Sequence, residues 1–377
     1  MAKTALLTLG RLPKALDIAR ALHGAGWRVV IADPFRRHLC SASKVVARCI
    51  QVRAPAEDPQ GYIDDLLAIC AQEAADCVVP ISEEAMYAAA LKAQLPSSVR
   101  FFGPDLETIR RLHDKHAFVT MAAALGLAVP ETYHLGDADA QALADRTDCV
   151  AKRVFSSAGV GVDMISQGAR LPAPTGAPVI VQARLPGRHR SSLSLAHGGR
   201  VLGHVFYEGT VFSHTVAVAF RRIDAPDLAA WCGRFIEAQG HTGFIAFDFI
   251  DDAAGVPHAI ECNPRANSGV HFFDPAGLAN ALIAPETAPV IGHRPERLLQ
   301  QFLPCLTETQ GNIFNREKRK NNWHFLTRSR DVTWDRKDPW PLVMMTPNSW
   351  AILKRSILKG ESFGEAAVAD IAYTGPH

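Results

Sequence analysis

Apolar positions in the first hundred residues fall into short runs separated by amphipathic stretches. TALLTLG (4–10) is a compact apolar run, and LPKALDIARALHGAG (12–26) has helical spacing ending at Gly24 and Gly26. WRVVIAD (27–33) reads as a second strand. YIDDLLAICAQEAA (62–75) is helical, DCVVPI (76–81) is a strand and EEAMYAAALKA (83–93) is helical again. Alternating strands and helices predict parallel βαβ units in a doubly wound sheet, so 1–104 form one α/β unit. Gly10 closes the first run without a G-x-G-x-x-G, so a dinucleotide site is not supported. Ser82 reads as the cap of the next helix, with Glu83 and Glu84 in its first turn, and substrate contact at this strand end is the other reading.

Two helices, 105–113 and 115–126, lead to strands at 149–154 (CVAKRV) and 178–185 (PVIVQARL). VAKRV alternates, which puts Lys152 on one face with Val150 and Val154, where a cation needs an anionic partner. Between these strands runs Ser156-Ser157-Ala158-Gly159-Val160-Gly161-Val162, small enough for its backbone N–H groups to approach phosphates closely. Residues 191–209 read as a hairpin turning at Gly198-Gly199, and 214–223 as a further strand. Of its final residues Arg221 and Arg222, alternation lets only one face a cleft, where it would bind a carboxylate or phosphate. Residues 225–240 form an amphipathic helix.

The richest stretch follows. FIAFDFI is an alternating apolar strand, DDAAG a turn with Gly255 free to take positive φ, and PHAIECNPR a second strand that stops at Pro264. Glu261, Asn263 and Arg265 share a face at spacing i, i+2, and a hairpin partner sets Asp248 beside them. Two carboxylates and an amide oxygen suit Mg²⁺, a hard ion that leaves room for phosphate oxygens. An adjacent arginine suits an anion the metal does not fully neutralise. The set describes a nucleotide–metal site for phosphoryl transfer.

An acidic residue on one strand followed by Glu-x-Asn-x-Arg on the next resembles the metal-binding signature of the ATP-grasp superfamily, of the biotin-carboxylase and carbamoyl-phosphate-synthase type. Glu261-Cys262-Asn263-Pro264-Arg265 fits it at every defined position. The resemblance implies an α/β (α+β) fold: an N-terminal Rossmann-like domain over 1–104, a small lobe over 105–185, a large lobe over 186–290 and a C-terminal extension over 291–377. It implies ATP with Mg²⁺ (or Mn²⁺), the metal held by Asp248, Glu261 and Asn263. Lys115, Lys152 and the loop residues Ser156, Ser157, Gly159 and Gly161 would meet the phosphates. Gln182, Ala183 and Leu185 would form the adenine linker, with Val181 and Leu185 enclosing the ring. Relatives often carry an acidic residue where this chain has Gln182 and Ala183, and no acidic ribose partner stands in PGRHRSS, where only His189 and Arg190 offer side chains. Arg265 and Lys152 would be catalytic. Arg222, Asn267, Ser268 and Gly269 would contribute to the acceptor pocket, although 267–269 also read as a simple turn. The implied activity is a carboxylate–amine ligase that proceeds through an acyl phosphate. A phosphotransferase acting on a small acceptor and a non-catalytic ATP-binding module are the two other readings.

Bulk properties narrow the partners. The chain has 377 residues, 48% of them apolar, so two or three packed units are expected. With 40 basic and 38 acidic residues the net charge is +2, which gives no general reason for a nucleic-acid or membrane partner. The N-terminal sequence lacks a long apolar core and a small-residue cleavage site, so it does not read as a secretory signal. Eight scattered cysteines without C-x-x-C predict reduced, mostly buried thiols in a cytoplasmic enzyme. His113 and His116 read as a chance helical pair and not a metal frame. NREKRKNN (315–322) reads as a solvated loop. Trp323, Trp334, Trp340 and Trp350 read as the packing of a small subdomain, with a cleft or homodimer contact as the other possibility.

Overall fold

The computed structural model describes residues 2–156, 161–213, 216–312, 314–360 and 363–375. Its first layer contains β1 (Thr4–Leu7), α1 (Pro13–Gly24), β2 (Arg28–Asp33), β3 (Val46–Gln51), α2 (Pro59–Gln72), β4 (Cys77–Val79), α3 (Ala85–Ala88) and β5 (Arg100–Phe101). The strands form a five-stranded parallel sheet in the order β3-β2-β1-β4-β5. The doubly wound reading therefore holds, with β3 added. VARCIQ has no clean apolar pattern because its strand lies at the sheet edge, with most side chains partly or fully exposed.

The helix expected over 83–93 is shorter. The Glu84 carboxylate accepts the N–H groups of Ile81 and Ser82 and the Thr8 hydroxyl, so the chain turns tightly there. Helix α3 starts only at Ala85, without a side-chain cap, and runs into a 3-10 turn at Ala89–Ala93. Ser82 is thus no cap; its hydroxyl accepts from the Lys14 ammonium at 3.0 Å.

Helices α4 (Leu106–His113) and α5 (Lys115–Ala124) are capped by Asp105 and Asp114, each accepting a backbone N–H three residues on. They precede a four-stranded antiparallel sheet, β6-β9-β7-β8. It consists of β6 (Thr132–His134), β7 (Cys149–Arg153), β8 (Val162–Ile165) and β9 (Val179–Ala183), with α6 (Ala138–Arg146) packed on it.

A seven-stranded sheet follows in the order β14-β13-β10-β11-β12-β15-β16. Its strands are β10 (His189–His197), β11 (Arg200–Ser213), β12 (Val216–Ile223), β13 (Gly243–Asp251), β14 (Pro257–Asn263), β15 (Leu298–Gln300) and β16 (Arg330–Asp331). Alternation along β13 divides its side chains between two cores. Ile245, Phe247 and Phe249 pack with Phe118 and with Trp231 and Phe235 of α7 (Pro226–Ala238). Phe244 and Ala246 join the opposite core, which also holds Leu7, Leu16 and Ile31 of the first layer and Leu278 of α8 (Pro275–Ile283). The first layer and the large sheet are therefore fastened through one continuous apolar contact.

The remaining helices are α9 (Phe302–Gly311), α10 (Arg316–Arg328), α11 (Trp340–Val343), α12 (Met345–Asn348), α13 (Trp350–Lys359) and α14 (Phe363–Val368). Two expectations fail here. Residues 316–322 are helix and not loop, because Asn315 caps α10 by accepting from the Lys318 N–H and Phe325 anchors it in the core. The four C-terminal tryptophans do not pack a subdomain; Trp323, Trp334, Trp340 and Trp350 are 46–60% exposed. Smaller side chains do that work, with Cys305 and Phe325 closing against Val211, Val218 and Ala219 of the large sheet.

All eight cysteines are free and all but Cys49 are buried. Among the described residues no helix is long and apolar enough to cross a membrane.

Candidate functional site

The β13–β14 register places Asp248 directly opposite Glu261, with a bulge after Asp248. The register continues across the sheet: Asp248 pairs with Ser191, Ser191 with Tyr207, and Tyr207 with Arg222. Directly opposed residues share a face. Glu261, Asp248, Ser191, Tyr207 and Arg222 therefore form one row, its back braced by the aromatic core under β13. In that core Trp231 stacks on Phe235 with centroids 5.6 Å apart and meets Phe247 edge-on at 5.1 Å.

The two carboxylates are tied together. The Asn263 amide donates to Asp248 Oδ2 at 3.3 Å and to Glu261 Oε1 at 3.1 Å, and Ser191 Oγ donates to Asp248 Oδ1 at 2.6 Å. Withdrawal from water and the neighbouring charge of Glu261 push the Asp248 carboxyl above its ordinary range. Withdrawal from water would raise Glu261 too, but Lys115 and Lys152 outweigh it and hold that carboxyl low. Lys115 Nζ stands 3.7 Å from Glu261 Oε2 and donates to the Ser156 carbonyl at 2.7 Å. Lys152 Nζ donates to the Ile260 carbonyl at 3.1 Å, and burial, with Lys115 adding to it, lowers its ammonium to about 8. Both lysines are buried, so neither is the solvated surface lysine that each could have been.

This donor set fits a hard divalent ion. Two close carboxylates repel each other, and a cation between them removes that repulsion. The Asn263 amide, whose hydrogens now face the pair, would have to turn to present its oxygen. Among the described residues no group of three or more His, Cys, Asp and Glu side chains could hold a metal, so the set is two carboxylates with an amide. The two lysines leave positive charge on the same side, suited to phosphate oxygens.

Arg265 extends the site toward the first layer. It donates to Asn263 Oδ1 at 3.0 Å and forms an ion pair with Glu83 at the carboxyl end of β4. Glu83 is 2% exposed, and the Arg265 guanidinium is its direct partner. Burial would raise the Glu83 carboxyl, but the charge of Arg265, with Lys14 adding to it, brings it below the ordinary range. His113 Nε2 lies 3.9 Å from Glu83 Oε2, and burial drops its imidazole to about 4. Lys14 Nζ reaches across to the Ala266 carbonyl at 2.7 Å, just after Arg265.

Lys14 escaped the sequence reading, in which Glu83, Glu84 and His113 read as a helix start and a chance helical pair. Lys14 and Asp17 left one trace: both lie among apolar residues of α1 on the side that is buried. A charge on an apolar helix face demands a partner, and here Asp17 pairs with His271 at 2.7 Å and Arg294 at 3.2 Å.

The other expected residues divide. Ser157 and Gly159 lie outside the described residues; Ser156 holds Lys115, and Gly161 has φ +69°. Gln182 is buried inside its sheet, its amide donating to Thr132 Oγ1 at 2.9 Å. The N–H groups of Ala183 and Arg184 are taken by the Glu131 and Asp148 carbonyls, and Leu185 is partly exposed. His189 is exposed, whereas Arg190 is engaged by Asp227 at 2.9 Å and by Asp251.

Of the arginine pair, Arg222 lies on the row with Asp248, about 14 Å away across three strand steps. Arg221 instead pairs with Glu208 at 2.8 Å and is half exposed. Asn267 fastens the turn after β14, donating to the Ser192 carbonyl and accepting from the Gly269 N–H. Gly269 is packed so tightly that a Cβ would lie 2.6 Å from that of Leu193. Ser268 is partly exposed.

No protein-family model matches the sequence, and no curated protein matches it. Solved structures do. N5-carboxyaminoimidazole synthetase from Staphylococcus aureus, complexed with ADP, superposes with a TM-score of 0.62 at 15% identity, over 84% of this chain and 86% of that one. The biotin carboxylase–ATP complex from Campylobacter jejuni gives 0.60 at 16% identity over 78% and 74%. L-amino acid ligase from Bacillus licheniformis gives 0.53 at 16% identity over 75% and 70%. At these identities the likeness is one of fold.

Proposed function

From the ATP-grasp fold that this chain has, we propose that it is an ATP-dependent carboxylate–amine ligase. The observation that carries the reading is the row of Asp248, Glu261, Asn263 and Arg265 with the Lys115 and Lys152 ammonium groups converging on it. A substrate carboxylate oxygen attacks the γ-phosphorus of ATP. The bond to the β–γ bridging oxygen breaks and ADP leaves with its electrons, giving an acyl phosphate. An amine nitrogen then attacks the acyl carbon, the carbon–oxygen bond breaks, and phosphate departs while the nitrogen loses a proton. Bound by Asp248, Glu261 and Asn263, Mg²⁺ (or Mn²⁺) would neutralise β- and γ-phosphate oxygens.

The chain's own residues do the rest. Lys152 and Lys115 meet the phosphates, with Ser156, Ser157, Gly159 and Gly161 enclosing them. Arg265 faces the anionic phosphoryl and tetrahedral states, held in place by Glu83. Gln182, Ala183 and Leu185 line the adenine end. Arg222 is the arginine we assign to the acceptor side, with Ser268 beside the turn that Asn267 and Gly269 build. Domain limits of 1–104, 105–185, 186–290 and 291–377 accompany this reading. So do a cytoplasmic setting, suggested by eight free thiols, and a homodimer, suggested by the exposed C-terminal tryptophans.

The test is a screen of amino acids and small acids, singly and in pairs, for stimulated phosphate release, with products weighed by mass spectrometry. One acid–amine pair should yield ADP, phosphate and a mass equal to the two minus water. A phosphorylated or carbamoylated small acceptor would mark the phosphotransferase class instead. ATP binding without any stimulated turnover would mark a silent module.

A further inference from the structure

The C-terminal segment after α14 lies where ligands of an open parallel sheet collect, outside the carboxyl ends of its strands. It contacts residues that follow three of them. Asp370 pairs with Arg11 at 2.6 Å after β1, and Arg11 in turn pairs with Asp33 at the end of β2. The Ala56 N–H, after β3, donates to the Asp370 carbonyl at 3.1 Å. The Tyr87 hydroxyl, after β4, donates to the Ala372 carbonyl at 2.9 Å. Ile371 is fully buried in the main core, so the segment is firmly anchored up to that point.

Beyond the anchor the chain changes character. Tyr373 is 4% exposed and is surrounded by rings: Tyr87 at 5.5 Å, Phe155 at 5.5 Å and His113 at 6.4 Å. The Arg110 guanidinium lies 5.7 Å from its ring. Its hydroxyl meets no described partner. Gly375 sits against Phe155, where an added Cβ would be 3.1 Å from the ring.

Two contact chains lead from Tyr373 into the candidate site. One passes through His113 and Glu83 to Arg265. The other passes through Phe155 to Ser156, whose carbonyl holds Lys115, and so to Glu261. His113 and Tyr373 carry buried polar atoms that no described residue satisfies, and their rings adjoin.

We propose that Ala372–Gly375 is a strap hinged on the Asp370–Ile371 anchor, which covers the Glu83–Arg265 end of the cleft, lifts to admit substrate and, when down, keeps water from the reacting phosphoryl group. The proposal rests on the ATP reading above. Ring contacts are what hold the strap beyond Ala372, so lifting it leaves the Arg11–Asp370 pair and buried Ile371 undisturbed. Because the same tyrosine touches Phe155, closure is linked to the side of the site that meets the phosphates.

The experiment uses the full chain, a deletion of residues 373–377, and the point variants Tyr373→Ala and Tyr373→Phe. Mg·ATP is supplied with water as the only nucleophile, and Mg·ADP affinity is measured alongside. The deletion and Tyr373→Ala should raise acceptor-independent hydrolysis on the order of tenfold at unchanged Mg·ADP affinity. Tyr373→Phe, which keeps the ring, should hydrolyse ATP as the full chain does. Tyr373→Ala keeps the whole anchor and carries the test if the deletion fails to fold. Unchanged hydrolysis with retained Mg·ADP binding overturns the strap alone. Absence of Mg·ADP binding in the full chain overturns the ATP reading and the strap with it.

Discussion

Breaking the Glu83–Arg265 pair should cost stability in a way that one double-mutant cycle can isolate. Glu83 is 2% exposed and the Arg265 side chain 13%, so both charges lie mostly out of water. Arg265→Met leaves the Glu83 carboxylate with Lys14 and a neutral His113 as its remaining neighbours. Removing one member of a buried pair costs about 3–5 kcal/mol; the low end, about 3 kcal/mol, applies because Lys14 remains and Arg265 reaches the surface. Glu83→Leu should cost less, about 2 kcal/mol, because Arg265 keeps the Asn263 amide oxygen at 3.0 Å. The double variant buries no lone charge and should lose only about 2 kcal/mol, a coupling of about 3 kcal/mol.

The pH dependence has a definite sign. Without Arg265 the Glu83 carboxyl rises, so the Met variant's penalty should shrink as pH falls from 7 to 5 and Glu83 takes a proton. Urea unfolding of the four proteins at both pH values measures all of this. Additive losses, with coupling under about 0.5 kcal/mol, would show that the pair does not tie the first layer to the hairpin.

Other consequences follow from the same geometry. His113 is neutral when folded, about 4 against an ordinary 6.5, so the unfolded chain binds more protons between these values. Its contribution is complete above pH 6.5 and is lost as pH falls to 4, about 3 kcal/mol in all; His113→Phe should flatten that part of the urea-derived stability curve. Lys152→Met should weaken Mg·ADP binding about 10- to 100-fold in a calorimetric titration, the worth of one charge-assisted contact to phosphate. Unchanged affinity would remove Lys152 from the phosphate site. Trp231→Ala should cost about 3–5 kcal/mol in urea unfolding, because it opens the ring cluster under β13. A loss under about 1 kcal/mol would mean that cluster does not brace the row.

The β13–β14 hairpin was legible because its information is local. Period-two alternation, a turn with Gly255 at φ +82° and a proline stop are all encoded within neighbouring residues. Lys152 was legible for the same reason, as a charge on an alternating apolar face. What was not legible came from contacts between residues far apart in sequence. Ser82, Glu83 and Glu84 look like a helix start, yet tertiary partners Lys14, Arg265 and Thr8 claim them. The C-terminal tryptophans were misread because clustering in sequence says nothing about which side of a short helix faces the core. Asn315 misled through its neighbours: a run of lysines and arginines hid an ordinary capped helix. Asn267 and Gly269 close the turn that was one reading of 267–269, over Ser192 and Leu193.

If Asp248, Glu261 and Asn263 hold the metal of an ATP site, calorimetric titration of ATP with and without Mg²⁺ into the wild type and Glu261→Ala will show it. The wild type should bind ATP far more tightly with Mg²⁺ than without, and Glu261→Ala should lose that difference while unfolding at a similar urea concentration. Wild-type protein that binds no Mg·ATP, or a Glu261→Ala variant that binds it as the wild type does, would contradict the assignment.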